Sequence, residues 1–193
     1  MKRFWMFAIV AWMLMVSPAL AADQGLYASL GAGASLATDI DESDGTKISF
    51  DPGWHVTGAV GYDLGQFRVE GEIGYRMFDI DTVTGPGVPP GVTGDVTALT
   101  FMANGYYDVD LDSSITPYVG FGLGISDADI EVIAPGFGTL KGGDTEFSYQ
   151  VMAGAGWDMG SNMVLTAGYR YFGIADSESP DIHEFNIGAR FMF

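Results

Sequence analysis

The segment FRVEGEIGYR (residues 67–76) puts Phe67, Val69, Ile73 and Tyr75 on one side of an extended chain and Arg68, Glu70, Glu72 and Arg76 on the other. Successive side chains of a strand point to opposite faces, so this is an amphipathic strand with a fully charged face. A face with four ionised groups ordinarily meets water. Whether it does so here, or is instead the enclosed face, decides the fold.

The rest of the chain repeats the pattern. Period-two alternation punctuated by Gly, Asp and Pro marks eight strands, at about 25–36, 53–64, 67–78, 96–108, 115–126, 146–158, 162–172 and 183–193. Each has the ten or so residues that a tilted transmembrane strand requires. Short links (63–66, 108–114, 158–162) alternate strictly with long ones (37–52, 79–95, 127–145, 173–182). That is the layout of an up-and-down barrel with one plain end and one elaborate end; in outer-membrane barrels the short turns are periplasmic and the long loops extracellular. The long link DTVTGPGVPPGVTGDV (81–96) contains Pro86, Pro89 and Pro90 and is expected to be a flexible loop without regular structure.

An eight-strand meander closes either as a soluble barrel with apolar residues inside or as a membrane barrel with apolar residues outside. Three features favour the second. The polar faces are rich in glycine (Gly31, Gly33, Gly61, Gly74, Gly120, Gly122, Gly124, Gly154, Gly156, Gly168, Gly188), which suits a cramped lumen. Arg68, Arg76, Arg170 and Arg190 all fall on the polar face, whereas Lys47 and Lys141 fall in long links; arginine is the better residue for forked ion pairs in a confined space. The apolar face is also banded. Trp54, Tyr75, Phe147, Tyr149, Tyr171 and Phe185 lie toward the long-link end, and Tyr62, Phe67, Tyr107, Trp157 and Phe193 toward the short-turn end. Val56, Val60, Ile73, Val151, Leu165 and Ile187 are among the aliphatic residues between them. Two aromatic girdles around an aliphatic belt match the interfaces and core of a bilayer. A one-residue slip of strand 67–78 would turn all four of its charges to lipid, so its register is strongly specified.

The N-terminus fits export. Lys2 and Arg3 precede an apolar run from Phe4 to Val16, and Ala19-Leu20-Ala21 follows Ser17-Pro18. We read residues 1–22 as a signal peptide and 23–193 as one barrel domain. Without Lys2 and Arg3, six basic residues face 25 acidic ones, a net charge of −19. Nucleic-acid binding needs a basic footprint and is excluded on that ground. There is no cysteine, so no disulfide holds the fold.

With its faces assigned, the chain resembles the small eight-stranded outer-membrane barrels: the OmpA-like transmembrane domain and its porin-family or opacity-type relatives. The resemblance rests on YASLGAGAS (27–35), FRVEGEIGYR (67–76), ANGYYDV (103–109), TPYVGFGLG (116–124), AGYRYF (167–172) and FNIGARFMF (185–193). It implies a bacterial outer-membrane location, with membrane lipid and lipopolysaccharide as surroundings and the outer-membrane assembly machinery as a partner. Phe191 and Phe193 in the final strand resemble the terminal signal that this machinery reads. The sequence ends there without a peptidoglycan-binding domain, so cell-wall tethering is not carried over.

Candidate chemistry is sparse. Lipid A deacylases of this shape use a His-x-Ser pair; here the nearest match is His55-Val56-Thr57, which lacks the serine, and His55 is expected to point inward near the rim. Asp108, Asp110 and Asp112 resemble the opening of a calcium loop but lack its glycine and later glutamate, so they read as a solvated turn. The acids of the long links (Asp39, Asp41, Glu42, Asp44, Asp51, Asp127, Asp129, Glu131, Asp144, Asp176, Glu178, Asp181) define no metal site by spacing. The glycine runs lack the strand-then-helix context of nucleotide loops. No cofactor and no metal is expected.

Arg68, Glu70, Glu72, Arg76, Arg170, Glu184 and Arg190 are expected to form an interior ion network, with Arg68 and Arg76 meeting Glu70, Glu72 and Glu184. The leading expectation is a non-enzymatic barrel with a structural and surface-interaction role, adhesin- or antigen-like, exerted on a host or surface ligand by acidic extracellular loops. The second is a narrow channel for small solutes or hydrophobic substrates, and the third a lipid-modifying enzyme.

Overall fold

Alternating segments settle as strands because a pleated strand can offer every apolar side chain to one medium and every polar one to another. A computed structural model describes residues 24–41, 45–89, 91–136, 138–160, 162–175 and 179–193. The expected signal peptide, together with Glu42, Asp44, Pro90, Asp176 and Glu178, lies outside the described residues.

The described residues contain no helix and ten strands: β1 (Gly25–Ala37), β2 (Ile40–Asp41), β3 (Lys47–Phe50), β4 (Gly53–Asp63), β5 (Phe67–Thr84), β6 (Thr93–Asp108), β7 (Ile115–Ala134), β8 (Gly138–Asp158), β9 (Met163–Ile174) and β10 (Ile182–Met192). Eight of them close a ring in the order β1-β4-β5-β6-β7-β8-β9-β10. Each is antiparallel to its neighbours, and β10 returns to β1 from Tyr27↔Met192 to Ala37↔Ile182. The fold is an eight-stranded antiparallel up-and-down barrel. The remaining two strands, β2 and β3, form a hairpin in the first long link, and β3 pairs with β5.

Two long links differ from the expected loops. In the second, β5 and β6 stay paired as far as Ile80↔Gly94, and β5 itself runs on to Thr84. Pro86 and Pro89 of that link fall beyond the strands, at its tip, where no ladder hydrogen bond is needed. In the next, β7 and β8 remain in unbroken register from Ile115↔Trp157 to Ala134↔Gly138. A wall of sheet therefore rises beyond the barrel at the long-link end. The short turns share one device: Asp63 Oδ1 accepts from Gly65 N–H (2.8 Å), Asp110 Oδ1 from Asp112 N–H (3.1 Å) and Asp158 Oδ1 from Gly160 N–H (2.8 Å).

The faces sort inside-out. Leu30 is 66 % and Ile187 71 % exposed, whereas Arg76 and Glu184 are 0 % exposed within the ring. Glycine makes that interior possible. A Cβ on Gly122 would stand 2.1 Å from Asn104 Oδ1, and one on Gly61 would stand 2.4 Å from the Tyr27 ring. The apolar core lies inside the barrel too, at the long-link mouth. Phe78, Met102, Phe172 and Ile182 pack there, with Phe50 of β3 folded against them.

Candidate functional site

The lumen is built in layers. Near the short-turn end, β5 and β6 place Arg68 and Asp108 inward, and the guanidinium donates to both carboxylate oxygens, Nε–Oδ2 at 2.6 Å and Nη2–Oδ1 at 2.8 Å. The same guanidinium lies 4.5 Å from the centre of the Tyr106 ring. Arg190 of β10 comes within 4.0 Å of Asp108. In the middle layer Arg170 grips Glu72 through bonds of 2.9 and 2.8 Å. Above them Arg76 donates to Glu184 (2.7 and 3.2 Å) and to Thr100 Oγ1 (2.8 Å), with its guanidinium carbon 4.0 Å from the centre of the Phe172 ring. Forked bonds of this kind keep buried charges paired; Arg170 Nε and Arg190 Nε and Nη1 have no hydrogen-bond partner among the described residues.

Arg68, Glu72, Arg76, Arg170, Glu184 and Arg190 are buried and Glu70 is half-buried. The pairing differs from the expected one. Of the pairs foreseen, Arg76–Glu184 forms; Arg68 turns to Asp108, and Glu72 takes Arg170. Glu70 is held by hydroxyl and amide donors instead, from Tyr27 (3.0 Å), Tyr106 (2.7 Å) and Asn104 (3.1 Å). Asp108, assigned to a solvated turn, is buried. It has the same parity as Asn104 and Tyr106 on the inward face of its strand, and that parity was the signal to its place.

His55 points inward, as expected, and is fully buried. Ser35 Oγ lies 2.9 Å from its Nδ1 and Glu184 Oε1 lies 3.5 Å from the same nitrogen, while Nε2 has no hydrogen-bond partner among the described residues. A serine–histidine–acid relay needs the hydroxyl and the carboxylate on opposite ring nitrogens. Here both crowd one, and Ser35 is itself fully buried. A polar cavity of about 70 Å³, lined by residues such as Ser29, Thr57, Arg170 and Asn186, is the space left between layers. It has room for a few waters.

On the outer face Trp54, Tyr62, Phe67, Tyr75, Tyr107, Phe147, Trp157 and Phe185 are exposed, and Tyr149 and Tyr171 half-exposed. Trp54–Tyr75, Phe67–Tyr107 and Tyr149–Tyr171 form ring pairs at 5.7, 5.2 and 6.1 Å. Phe191 and Phe193 point outward as well, and Phe193 N–H donates to Leu26 O (2.9 Å).

The wall beyond the barrel has two unlike faces. Asp79 stands opposite Asp95, Asp95 opposite Glu131 and Glu131 opposite Lys141, so one row across β5 to β8 carries three carboxylates side by side. Like charges directly opposite destabilise a sheet. The other face carries Phe78, Ile80, Val96, Ile130, Val132 and Leu140. The two lysines of this end are already engaged: Lys47 with Asp39 at 2.9 Å, and Lys141 with Glu131. Lys47 holds the exposed Asp39 carboxyl below its usual range, and the Glu131 carboxylate raises Lys141.

Comparison with known proteins matches this architecture. Residues 7–193 fit the family model described as the outer membrane protein beta-barrel domain. The chain is 27% identical over 203 aligned positions to the outer membrane protein PagN of Salmonella typhimurium, covering 89% of this chain and 83% of that one. It is 29% identical over 179 positions to major surface antigen 4 of Anaplasma marginale, covering 70% of this chain and 60% of that protein. Among solved structures, Neisserial surface protein A superposes with a TM-score of 0.63 at 22% identity, covering 88% and 97% of the two chains. Ail, the attachment invasion locus protein of Yersinia pestis, solved with the heparin analogue sucrose octasulfate, gives 0.54 at 16% identity, covering 88% and 99%.

Proposed function

From the premise that this chain belongs to the outer membrane protein β-barrel family and resides in the bacterial outer membrane, we propose that it is a closed, non-catalytic barrel that holds up an acidic extracellular sheet as a recognition surface. The observation that carries this reading is the wall itself. The β5–β8 strands continue past the membrane band and array Asp79, Asp95, Asp127, Asp129 and Glu131 on one exposed face. A row of like charges is costly to the sheet and gains a purpose when a cation-bearing ligand neutralises it.

The lumen supports a structural role for the barrel. Its layered ion pairs and the apolar lid of Phe78, Phe172 and Ile182 fill the interior of a ring just wide enough for its own side chains. The interior network is read as a plug, the two girdles as interface anchors, and Phe191 and Phe193 as the signal for assembly. The relatives' names agree with a surface role: one is a major surface antigen, and Ail is an attachment protein. The ligand class differs from that in the Ail structure. A sulfated polyanion needs free cations, whereas the wall is acidic and its Lys141 is engaged by Glu131.

The test uses the full chain in lipid nanodiscs over a cationic polylysine surface and a heparin surface. Preference for the cationic surface, lost when Asp79, Asp95, Asp127 and Asp129 are replaced together by Asn and Glu131 by Gln, is the expected result. Binding to heparin, or binding that survives the replacement, overturns the reading. Stable conductance in planar bilayers would overturn the plugged lumen.

A further inference from the structure

The upper part of β8 is an open sheet edge. β9 pairs with β8 only from Ser148↔Ile174 downward, with one further bond from Ala175 N–H to Phe147 O (2.8 Å). β8 nevertheless continues to Gly138, held on its other side by β7. In an antiparallel ladder the N–H and C=O of one residue point to the same side and alternate from residue to residue. Phe147 directs its carbonyl toward β9, and the register above it has no bulge. Thr145, Gly143, Lys141 and Thr139 therefore turn both backbone groups toward the free side. Among the described residues nothing pairs with them.

Edge strands are usually guarded by a projecting lysine, a proline or a bulge. This one has no proline or bulge, and its lysine is drawn sideways to Glu131 on the neighbouring strand. Two glycines sit at its centre. Nothing lies within 4 Å of where a Cβ on Gly142 would stand, and a Cβ on Gly143 would stand 2.8 Å from Asp129 Oδ1. The Asp129 carboxylate thus lies over the bare backbone of Gly143 toward the edge. On the opposite face Asp144 and Glu146 flank the same stretch, with the exposed Leu140 above them.

We infer that residues 139–145 of β8 accept an added strand: an extended, lysine- or arginine-bearing peptide segment of a partner, hydrogen-bonded to Thr139, Lys141, Gly143 and Thr145, with its cations on Asp127 and Asp129, which share one face opposite Thr145 and Gly143. This rests on the acidic-wall reading above and specifies how the wall engages a ligand. Backbone pairing supplies affinity in strand addition, and side chains supply selection. The two glycines let a long cationic side chain cross the edge strand to reach Asp129. The apolar face around Leu140 takes the alternate residues, so the fitting segment alternates basic and apolar positions.

The test titrates the nanodisc-embedded full chain with a synthetic peptide of alternating Lys and Val, about ten residues long to span the edge at ~3.3 Å per residue. A second peptide is identical but N-methylated at every other residue. Thr139→Pro/Thr145→Pro removes two outward N–H groups without touching the β7 ladder, and Thr139→Ala/Thr145→Ala removes the same side chains but keeps the N–H groups. Expected are binding to the wild type and the alanine variant, about tenfold weaker binding to the proline variant, and similar weakening on N-methylation. Amide exchange should slow on binding at Thr139, Lys141, Gly143 and Thr145, while Gly142 and Asp144, bonded to β7, are protected beforehand; their unchanged protection in the proline variant certifies its fold. Equal binding of both peptides that is lost in Asp127→Asn/Asp129→Asn would leave the acidic surface standing and overturn strand addition. Proline-sensitive self-association without peptide binding would assign the edge to a second copy, and no peptide binding at all would also overturn the inference.

Discussion

Arg76 and Glu184, 108 residues apart and neither of them solvent-exposed, meet through hydrogen bonds of 2.7 and 3.2 Å directly beneath Phe172. β5 and β10 are separated in the ring by β4 and β1, so the pair reaches across the lumen and ties two non-adjacent walls together. Glu184 also accepts from Ser35 and lies 3.7 Å from Arg170, which makes it the hub of the upper layer.

That position predicts strong non-additivity. Arg76→Met strands part of the Glu184 charge and Glu184→Leu strands Arg76, and each is expected to cost about 3–5 kcal/mol. The double variant should cost less than the sum of the two, because neither partner is left charged and alone. Urea unfolding of the four proteins in one detergent, followed by tryptophan fluorescence, measures the coupling.

Two equally exposed residues separate lipid from water. Ile187, 71 % exposed, lies in the middle of the aliphatic belt, and Leu140, 72 % exposed, lies on the wall above it. Ile187→Arg is expected to cost roughly 2–4 kcal/mol and to impair membrane assembly. Leu140→Arg should stay within about 0.5 kcal/mol of wild type, as an exposed change outside the bilayer does. Heat-modifiable gel migration and outer-membrane yield report both, and equal tolerance would mean that the faces are reversed.

Much of this architecture is legible from parity alone. FRVEGEIGYR places Arg68 and Arg76 inward because side chains alternate, and the same rule puts Glu184 and Arg190 inward on β10. Partner choice is not legible that way, since it depends on how strands are staggered around the ring. Arg68 reaches Asp108 on the next strand rather than Glu70 or Glu72 on its own, and Glu70 is left to hydroxyl groups. Asp108 was masked by its neighbours: Asp110 and Asp112 give the segment the composition of a turn, although it continues the inward series of Asn104 and Tyr106. The wall was hidden for a similar reason. Asp127, Asp129 and Glu131 alternate with Ala128, Ile130 and Val132 as a strand would, but so many acids beyond the aromatic girdle resemble a solvated loop.

The lumen should resist added volume selectively. Gly122→Ala would drive a methyl group to 2.1 Å from Asn104 Oδ1, which itself accepts from Gln150 (2.7 Å). A loss of about 1–3 kcal/mol is expected from overpacking. Gly71→Ala, with nothing within 4 Å of the new carbon and no positive φ, should be neutral or stabilising by up to about 1 kcal/mol through the unfolded chain. Thermal melts in matched detergent distinguish the two.

The β2–β3 hairpin carries its own pH response. The Lys47 ammonium, 2.9 Å from Asp39, holds that carboxyl below its usual range. A carboxyl depressed in the folded state binds its proton less readily than in the opened hairpin. The stabilisation is therefore complete above the ordinary aspartate range, near pH 3.8, and is lost as pH falls through the lower folded value. The pair is exposed, so the effect is local and weakens with salt. Backbone NMR signals of Ile40 and Ile48, which face each other across the hairpin, should broaden or shift below about pH 4 while those of the barrel strands stay fixed. Asp39→Asn removes the titrating group, so its hairpin should show no such transition; a transition that persists in the variant would assign the response to another group.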